Sequence, residues 1–283
     1  MAERRIVSLE DSAIEVVLGA DLAGAPVVCA AHPVETFGPG TVELLAGMVG
    51  ARVVCVNPWQ PDSRGPAPPG GPSLEWMVDR IEDARRTLGF PPWIFWGMSG
   101  GGWLAELYAR RYPEALGGTI IESVCACFRE RLADPDCVLS PFFPAWREPL
   151  RAAGLLSERS HREPSSGDET EWVDVNAVGH VFRRRGGPAL LVSPGPIDPE
   201  MRRLMPRFWD FDARPWLGGI RTPALVLCGG QDPLLPVRHA RAVHEAVAGS
   251  TFVEIEGAGH VPVSERRPEV SEAFRQFVRR LDG

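Results

Sequence analysis

The chain has 283 residues, a net charge of −7, and 30 basic side chains that are all arginine. With no lysine, Schiff-base chemistry and a phosphate-binding P-loop are both excluded, and the acidic balance argues against nucleic acid or anionic lipid as the main partner. Hydrophobic residues at 44% and charged residues at 24% fit a globular protein with a sizeable core, and no apolar run approaches the ~18 residues of a membrane span.

The first residues, Met1 to Ile6, carry charge with no apolar stretch behind it. No signal peptide is therefore expected, and the chain reads as cytoplasmic. Cys29, Cys55 and Cys228 lie in apolar strand-like runs, where cysteine behaves as a small hydrophobe. Cys125 and Cys127 lack the spacing of a redox or zinc pair, and all six cysteines, with Cys137, are expected to be reduced.

Along the chain, residues 5–9 and 13–18 predict two antiparallel opening strands. Residues 27–31, 53–57, 93–96, 119–122, 224–228 and 252–255 are short apolar runs of the kind that form parallel strands buried on both faces. Helical periodicity falls between them, at 42–49, 73–88, 100–111, 237–247 and 268–281. Ser73 is placed to cap its helix at the start and Gly89 at the end. Alternation of this type predicts an α/β fold with a mostly parallel sheet flanked by helices. Residues 58–72, rich in proline and glycine, predict a loop. The alternation stops at 123–216, where prolines, a polar patch and many aromatics predict a mainly helical insertion. The domain reading is therefore a core in two parts, 1–122 and 217–283, interrupted by a mainly helical insertion at 123–216.

Three motifs carry chemistry. Gly97-Met98-Ser99-Gly100-Gly101 is a Gly-x-Ser-x-Gly that follows an apolar strand directly and opens a helix. A serine on such a turn is held strained with its hydroxyl exposed, and the helix N-terminus directs amide dipoles at any oxyanion formed there. Thr222 to Pro233 runs from a buried strand into a Gly-Gly turn presenting Asp232, a carboxylate that could orient an imidazole. Phe252 to Pro262 runs from a strand into Gly257-Ala258-Gly259-His260, and a histidine after a flexible turn can reach across a sheet as general base. Ser99, Asp232 and His260 stand in chain order, each just after a predicted strand. The remaining histidines, His161, His180, His239 and His244, show no metal-ligand spacing, so no metal site is expected. Arg183-Arg184-Arg185 reads as a solvated face.

On these motifs the core, residues 1–122 and 217–283, resembles an α/β-hydrolase, and the insertion falls where that family carries its cap, after the sixth strand. The resemblance implies a capped serine hydrolase with Ser99 as nucleophile, His260 as base, Asp232 as acid and no cofactor. It also implies an oxyanion hole from the backbone N–H groups of Val34 and Gly100. His32-Pro33-Val34 stands where the family commonly has His-Gly-x, and the donor comes from the residue after Pro33, which itself has no N–H. His32 is implied as an organiser of that loop. Glu122 ends a strand from which some relatives supply the acid, whereas Asp232 has the fuller motif. Trp59, Trp103, Phe143 and Trp146 are candidates to line an apolar pocket for a small-molecule substrate. An ester or related acyl compound is the first expectation. The sequence also resembles the proline-iminopeptidase-like branch, in which cap carboxylates hold a free amine, although Gly100 replaces the tryptophan usual after that branch's serine. A fold member that binds a ligand without hydrolysis is the third. With no lysine to titrate, the pH profile is expected to report mainly His260.

Overall fold

The computed structural model describes residues 2–22, 24–33, 36–59, 71–137, 208 and 210–281. Most of the predicted 58–72 loop and most of the predicted insertion lie outside this set, with Val34, Phe143, Trp146, His161, His180 and Arg183 to Arg185.

Eight strands form one sheet: β1 Glu3–Ser8, β2 Ala13–Leu18, β3 Val27–Ala31, β4 Arg52–Asn57, β5 Trp93–Met98, β6 Leu116–Glu122, β7 Ala224–Gly229 and β8 Thr251–Ile255. Their spatial order is β1-β2-β4-β3-β5-β6-β7-β8. β2 is antiparallel to both β1 and β4, and every pairing from β4 to β8 is parallel. The described helices are α1 Pro39–Val49, α2 Leu74–Thr87, α3 Gly100–Arg111, α4 Phe128–Ala133, α5 Val237–Ala246, α6 Pro262–Glu265 and α7 Arg267–Leu281.

The parallel strands are apolar at nearly every position because both faces are covered. Successive residues serve opposite sides: Cys29 and Val54 join α2, α3 and α5 in one core, while Val28 and Val53 join α1 and α7 in the other. Ser73 caps α2 by accepting the N–H of Trp76 at 3.1 Å, and Gly89 turns the chain out of that helix at φ 68°. α1 begins three residues before the apolar period does, at Pro39, whose fixed φ suits a first helical turn.

β6 differs from its prediction. It starts at Leu116 and runs through Gly117 and Gly118, residues that weaken a strand by propensity. Gly117 is skipped in the register with β5, and a Cβ at Gly118 would come within 2.9 Å of the Phe277 ring of α7. Tertiary packing requires small residues where local preference opposes them.

Arginine performs structural work here that a point charge would do poorly. Arg80 of α2 is buried; it donates from Nε to the Pro58 carbonyl at 3.1 Å and from its fork to Ser12 and Ala13, which fastens the opening hairpin, while its plane lies over Trp76. Glu82, also on α2, is buried and receives Arg85, Arg86 and the Tyr108 hydroxyl. All six cysteines are buried and unpaired. Among the described residues no helix is long and apolar enough to cross a membrane.

Glu106 of α3 is the exception to this satisfaction of buried charge. It is fully buried, and among the described residues neither carboxyl oxygen has a hydrogen-bond partner. Burial therefore holds its acid form and lifts its pKa well above the usual carboxylate range. The unfolded chain releases this proton above pH ~4.5 and the folded chain keeps it, so stability is lost as pH rises past that value. Glu106→Met should therefore raise the unfolding free energy by about 1–3 kcal/mol at neutral pH. The gain should be smaller at pH 4 than at pH 7, as read by urea unfolding at both values.

Candidate active site

Ser99 follows β5 and precedes α3 with φ 52° and ψ −119°, a conformation that L side chains rarely adopt. The turn is held from both sides. The Ser99 N–H donates to the Glu122 carbonyl at 2.8 Å, and the Gly102 N–H donates to the Ser99 carbonyl at 2.9 Å. Gly97 and Gly101 meet backbone to backbone, so that a Cβ at Gly97 would overlap the Gly101 carbonyl. These glycines let strand and helix approach closely enough to fix the serine in its strained state.

The turns after β7 and β8 interlock by the same means. A Cβ at Gly229 would overlap the backbone of Ala258 and Gly259, and the Gln231 N–H donates to the Ala258 carbonyl at 2.8 Å. Asp232 then lies buried below His260. Its Oδ1 accepts the N–H groups of Leu234 and Leu235 at 2.8 and 2.9 Å, and its Oδ2 meets His260 Nδ1 at 2.8 Å. His260 Nε2 is 2.9 Å from Ser99 Oγ. An ionised aspartate only accepts, so Nδ1 carries the proton and Nε2 is left to accept from the serine hydroxyl. Ser99, His260 and Asp232, which the sequence singles out, thus form one hydrogen-bonded line.

Two further carboxylates shape this site, and sequence motifs did not assign them these contacts. Glu265 of α6 accepts the N–H groups of Gly259 and Val261 at 2.7 and 2.9 Å, gripping the backbone on both sides of His260. Glu122 is fully buried at the end of β6; it accepts the Trp96 indole N–H at 2.7 Å and the Val263 N–H at 3.1 Å. Burial pushes its pKa up to about 7, against the pull of those two donors. It is Asp232, not Glu122, that hydrogen-bonds His260. The residue after Glu122, Ser123, also has positive φ, at 49°.

Gly100 opens α3, where the first N–H groups of a helix lack intrahelical partners. A Cβ there would lie 3.0 Å from His32 Nε2 and 3.1 Å from Pro33 Cγ, so the His32-Pro33 turn is packed against the serine turn. Val34 lies outside the described residues. Beyond it, the Asn57 side chain holds Phe37 by accepting its N–H at 2.8 Å and donating to its carbonyl at 2.9 Å. Trp103 is buried in α3, donates to the Cys125 carbonyl at 3.2 Å and packs against Phe128 and Phe211. Trp59 follows β4 and packs edge-on against Trp76 of α2, and among the described residues its buried indole N–H has no partner. His239 is bonded to Asp134, and His244 to Ser250. Among the described residues no cluster of three or more histidine, cysteine or acidic side chains is arranged to hold a metal ion.

Residues 9–273 match the model of the alpha/beta hydrolase family. A pimeloyl-[acyl-carrier protein] methyl ester esterase of Neisseria meningitidis is 34% identical over 67 residues, which is 24% of this chain and 26% of that protein. The match thus spans about a quarter of the relative's length. Among solved structures, an alpha/beta fold family hydrolase from Bacillus anthracis str. Sterne superposes with a TM-score of 0.74 at 18% identity, covering 98% of this chain and 99% of that one. The proline iminopeptidase of Mycobacterium smegmatis gives 0.69 at 18% identity, covering 99% of each chain. A thermophilic esterase from Thermogutta terrifontis gives 0.64 at 20% identity, covering 99% of this chain and 100% of that one. At these identities the structures establish a shared fold.

The backbone contact at the serine turn sets a stability test. Gly97→Ala adds a methyl group where the Gly101 carbonyl already lies. It should lower the unfolding free energy by about 2 kcal/mol or more, measured by urea denaturation.

Proposed function

The chain belongs to the alpha/beta hydrolase family, and from that premise we propose that it is a serine hydrolase cleaving a carboxylic ester or related acyl compound of small size. The observation that carries this reading is the continuous line from Ser99 Oγ through His260 to Asp232, at 2.9 and 2.8 Å. A hydroxyl is a weak nucleophile until a base accepts its proton, and the accepting nitrogen already faces it.

In the first step Ser99 Oγ bonds to the substrate's carbonyl carbon as its proton passes to His260 Nε2. The carbonyl oxygen takes up the negative charge, received by the N–H groups of Gly100 and Val34. Collapse of the tetrahedral intermediate breaks the bond to the leaving alcohol, which departs with the proton from Nε2. Water then attacks the acyl-enzyme, His260 takes its proton, and the acid leaves as Ser99 regains its hydrogen. Asp232 remains ionised throughout, orienting Nδ1 and stabilising the imidazolium. No step draws on a cofactor.

We read residues 123–216 as a cap over this site. Its described ends support that reading, because Cys127 and Asp212 pair as antiparallel neighbours directly after β6, whose last carbonyl holds Ser99. In this reading Trp59, Trp103, Phe143 and Trp146 supply apolar surface for the acyl or alcohol group.

A fluorophosphonate probe should label the native protein on Ser99 and leave Ser99→Ala unlabelled, read by mass spectrometry of the serine peptide. Failure of the folded native protein to label would sink the proposal. Ser99→Ala and Asp232→Asn should each lower kcat on p-nitrophenyl esters by about 10⁴-fold or more. Turnover of proline p-nitroanilide with none of the ester would replace esterase by aminopeptidase.

Glu122 changes the expected pH dependence. With its pKa pushed up to about 7, Glu122 should contribute an ionisation near neutrality. Glu122→Gln should remove an ionisation near pH 7 from the profile of kcat/KM measured between pH 5 and 9.

A further inference from the structure

The turn that presents Asp232 is gripped from outside by the first described part of the inserted segment. Arg131 of α4 is buried and donates from Nε to the Leu234 carbonyl at 3.0 Å; the Cys137 thiol, also buried, lies 3.2 Å from the same oxygen. That carbonyl belongs to the peptide unit whose N–H, on Leu235, donates to Asp232 Oδ1 at 2.9 Å. A trans peptide points its C=O and N–H in opposite directions. One peptide group therefore stands between a guanidinium at its oxygen and a carboxylate at its hydrogen. Each charge polarises the group in the sense that strengthens the hydrogen bond at the other end.

We propose that Arg131 is a positioning residue for Asp232, acting through the Leu234–Leu235 peptide, so that the stem of the inserted segment sets the geometry of the Asp232–His260 pair. The inference rests on the serine-hydrolase reading above. The surroundings fix the guanidinium where it is needed. It lies over the Phe128 ring, whose own partner is Trp103 of the serine helix. Asp134, buried at the end of α4, binds Arg238 and His239 at the start of α5, the helix that follows the aspartate turn. The stem thus holds the turn at its peptide and holds the helix beyond it by ion pairs. Only the first of these contacts leads directly to the Asp232 carboxylate. Loss of Arg131 should disturb the aspartate, whereas loss of the Asp134 contacts should cost stability.

The test compares Arg131→Met with Arg131→Lys, which keeps a charged donor, with Asp134→Asn, and with Arg129→Met. Arg129 is an exposed arginine of the same helix, paired with Asp210. Active sites are counted with the fluorophosphonate probe, and p-nitrophenyl ester kinetics are expressed per labelled site. In parallel, proton NMR follows the downfield resonance of the His260 Nδ1–H, which reads the Asp232 bond without substrate. Arg131→Met should lower kcat about 10- to 50-fold with KM changed less than about twofold, and should shift or broaden that resonance. Arg131→Lys should retain most of both, while Asp134→Asn and Arg129→Met should match the native protein per labelled site. An Arg131→Met protein with a lower melting temperature but native kcat per site and a native resonance would overturn the proposal. If the native protein neither labels nor turns over ester, the hydrolase reading falls separately, and the resonance alone decides whether Arg131 positions Asp232.

Discussion

Everything in the candidate site is arranged around one strained residue. Ser99 occupies a backbone conformation that costs about 1–3 kcal/mol for a side chain other than glycine, and it persists because its surroundings permit no other path. Its N–H is committed to the Glu122 carbonyl. The close approach of Gly97 to Gly101, possible only without a side chain, packs strand and helix tightly around the turn. Gly102 is also pressed close, since a Cβ there would fall 2.6 Å from the Val124 side chain. The strain directs the hydroxyl away from the backbone and toward His260.

The sheet order then decides what can meet that hydroxyl. Parallel strands deliver all their following turns to one edge, and ligand sites of open α/β sheets form there. β5, β6, β7 and β8 are consecutive neighbours, so the turns carrying Ser99, Glu122, Asp232 and His260 lie in one row. The interlocked backbones at Gly229 and Gly259 draw the last two turns together. Glu265 and Glu122 then fix the chain on both sides of His260. The histidine is held by its neighbours' amides, leaving both ring nitrogens free for the serine and the aspartate.

The charge economy of the chain fits this architecture. Arginine supplies planar multiple donors at buried carbonyls, as Arg80 does for the opening hairpin and Arg131 for the aspartate turn. Buried carboxylates fall into two kinds. Glu82 is ringed by donors and held below its ordinary pKa by Arg85, Tyr108 and Arg86 against the cost of burial. Glu106 and Glu122 are driven the other way by burial. The absence of lysine removes one kind of base, and buried carboxylates provide groups that titrate outside their usual range instead.

Local chemistry was enough to read the strand–helix alternation, the Ser73 cap, and the three turns bearing Ser99, Asp232 and His260. Those features depend on periodicity, capping and turn residues within a few positions of one another. The longer β6 was not legible, because Gly117 and Gly118 oppose a strand until the bulge against β5 and the Phe277 ring of α7 are known. Asn57 and Arg131 looked like ordinary polar residues, since their partners lie 20 and 103 positions away. Glu122 could be marked from sequence as a strand-end acid, but not as a buried group bonded to Trp96 and Val263. The sequence by itself determined which residues could act as nucleophile, base and acid, because each chemistry demands its own side chain on its own kind of turn. Only the tertiary structure decided that they stand within hydrogen-bonding distance, and which buried charges hold them there, because distance and desolvation arise when remote segments pack together.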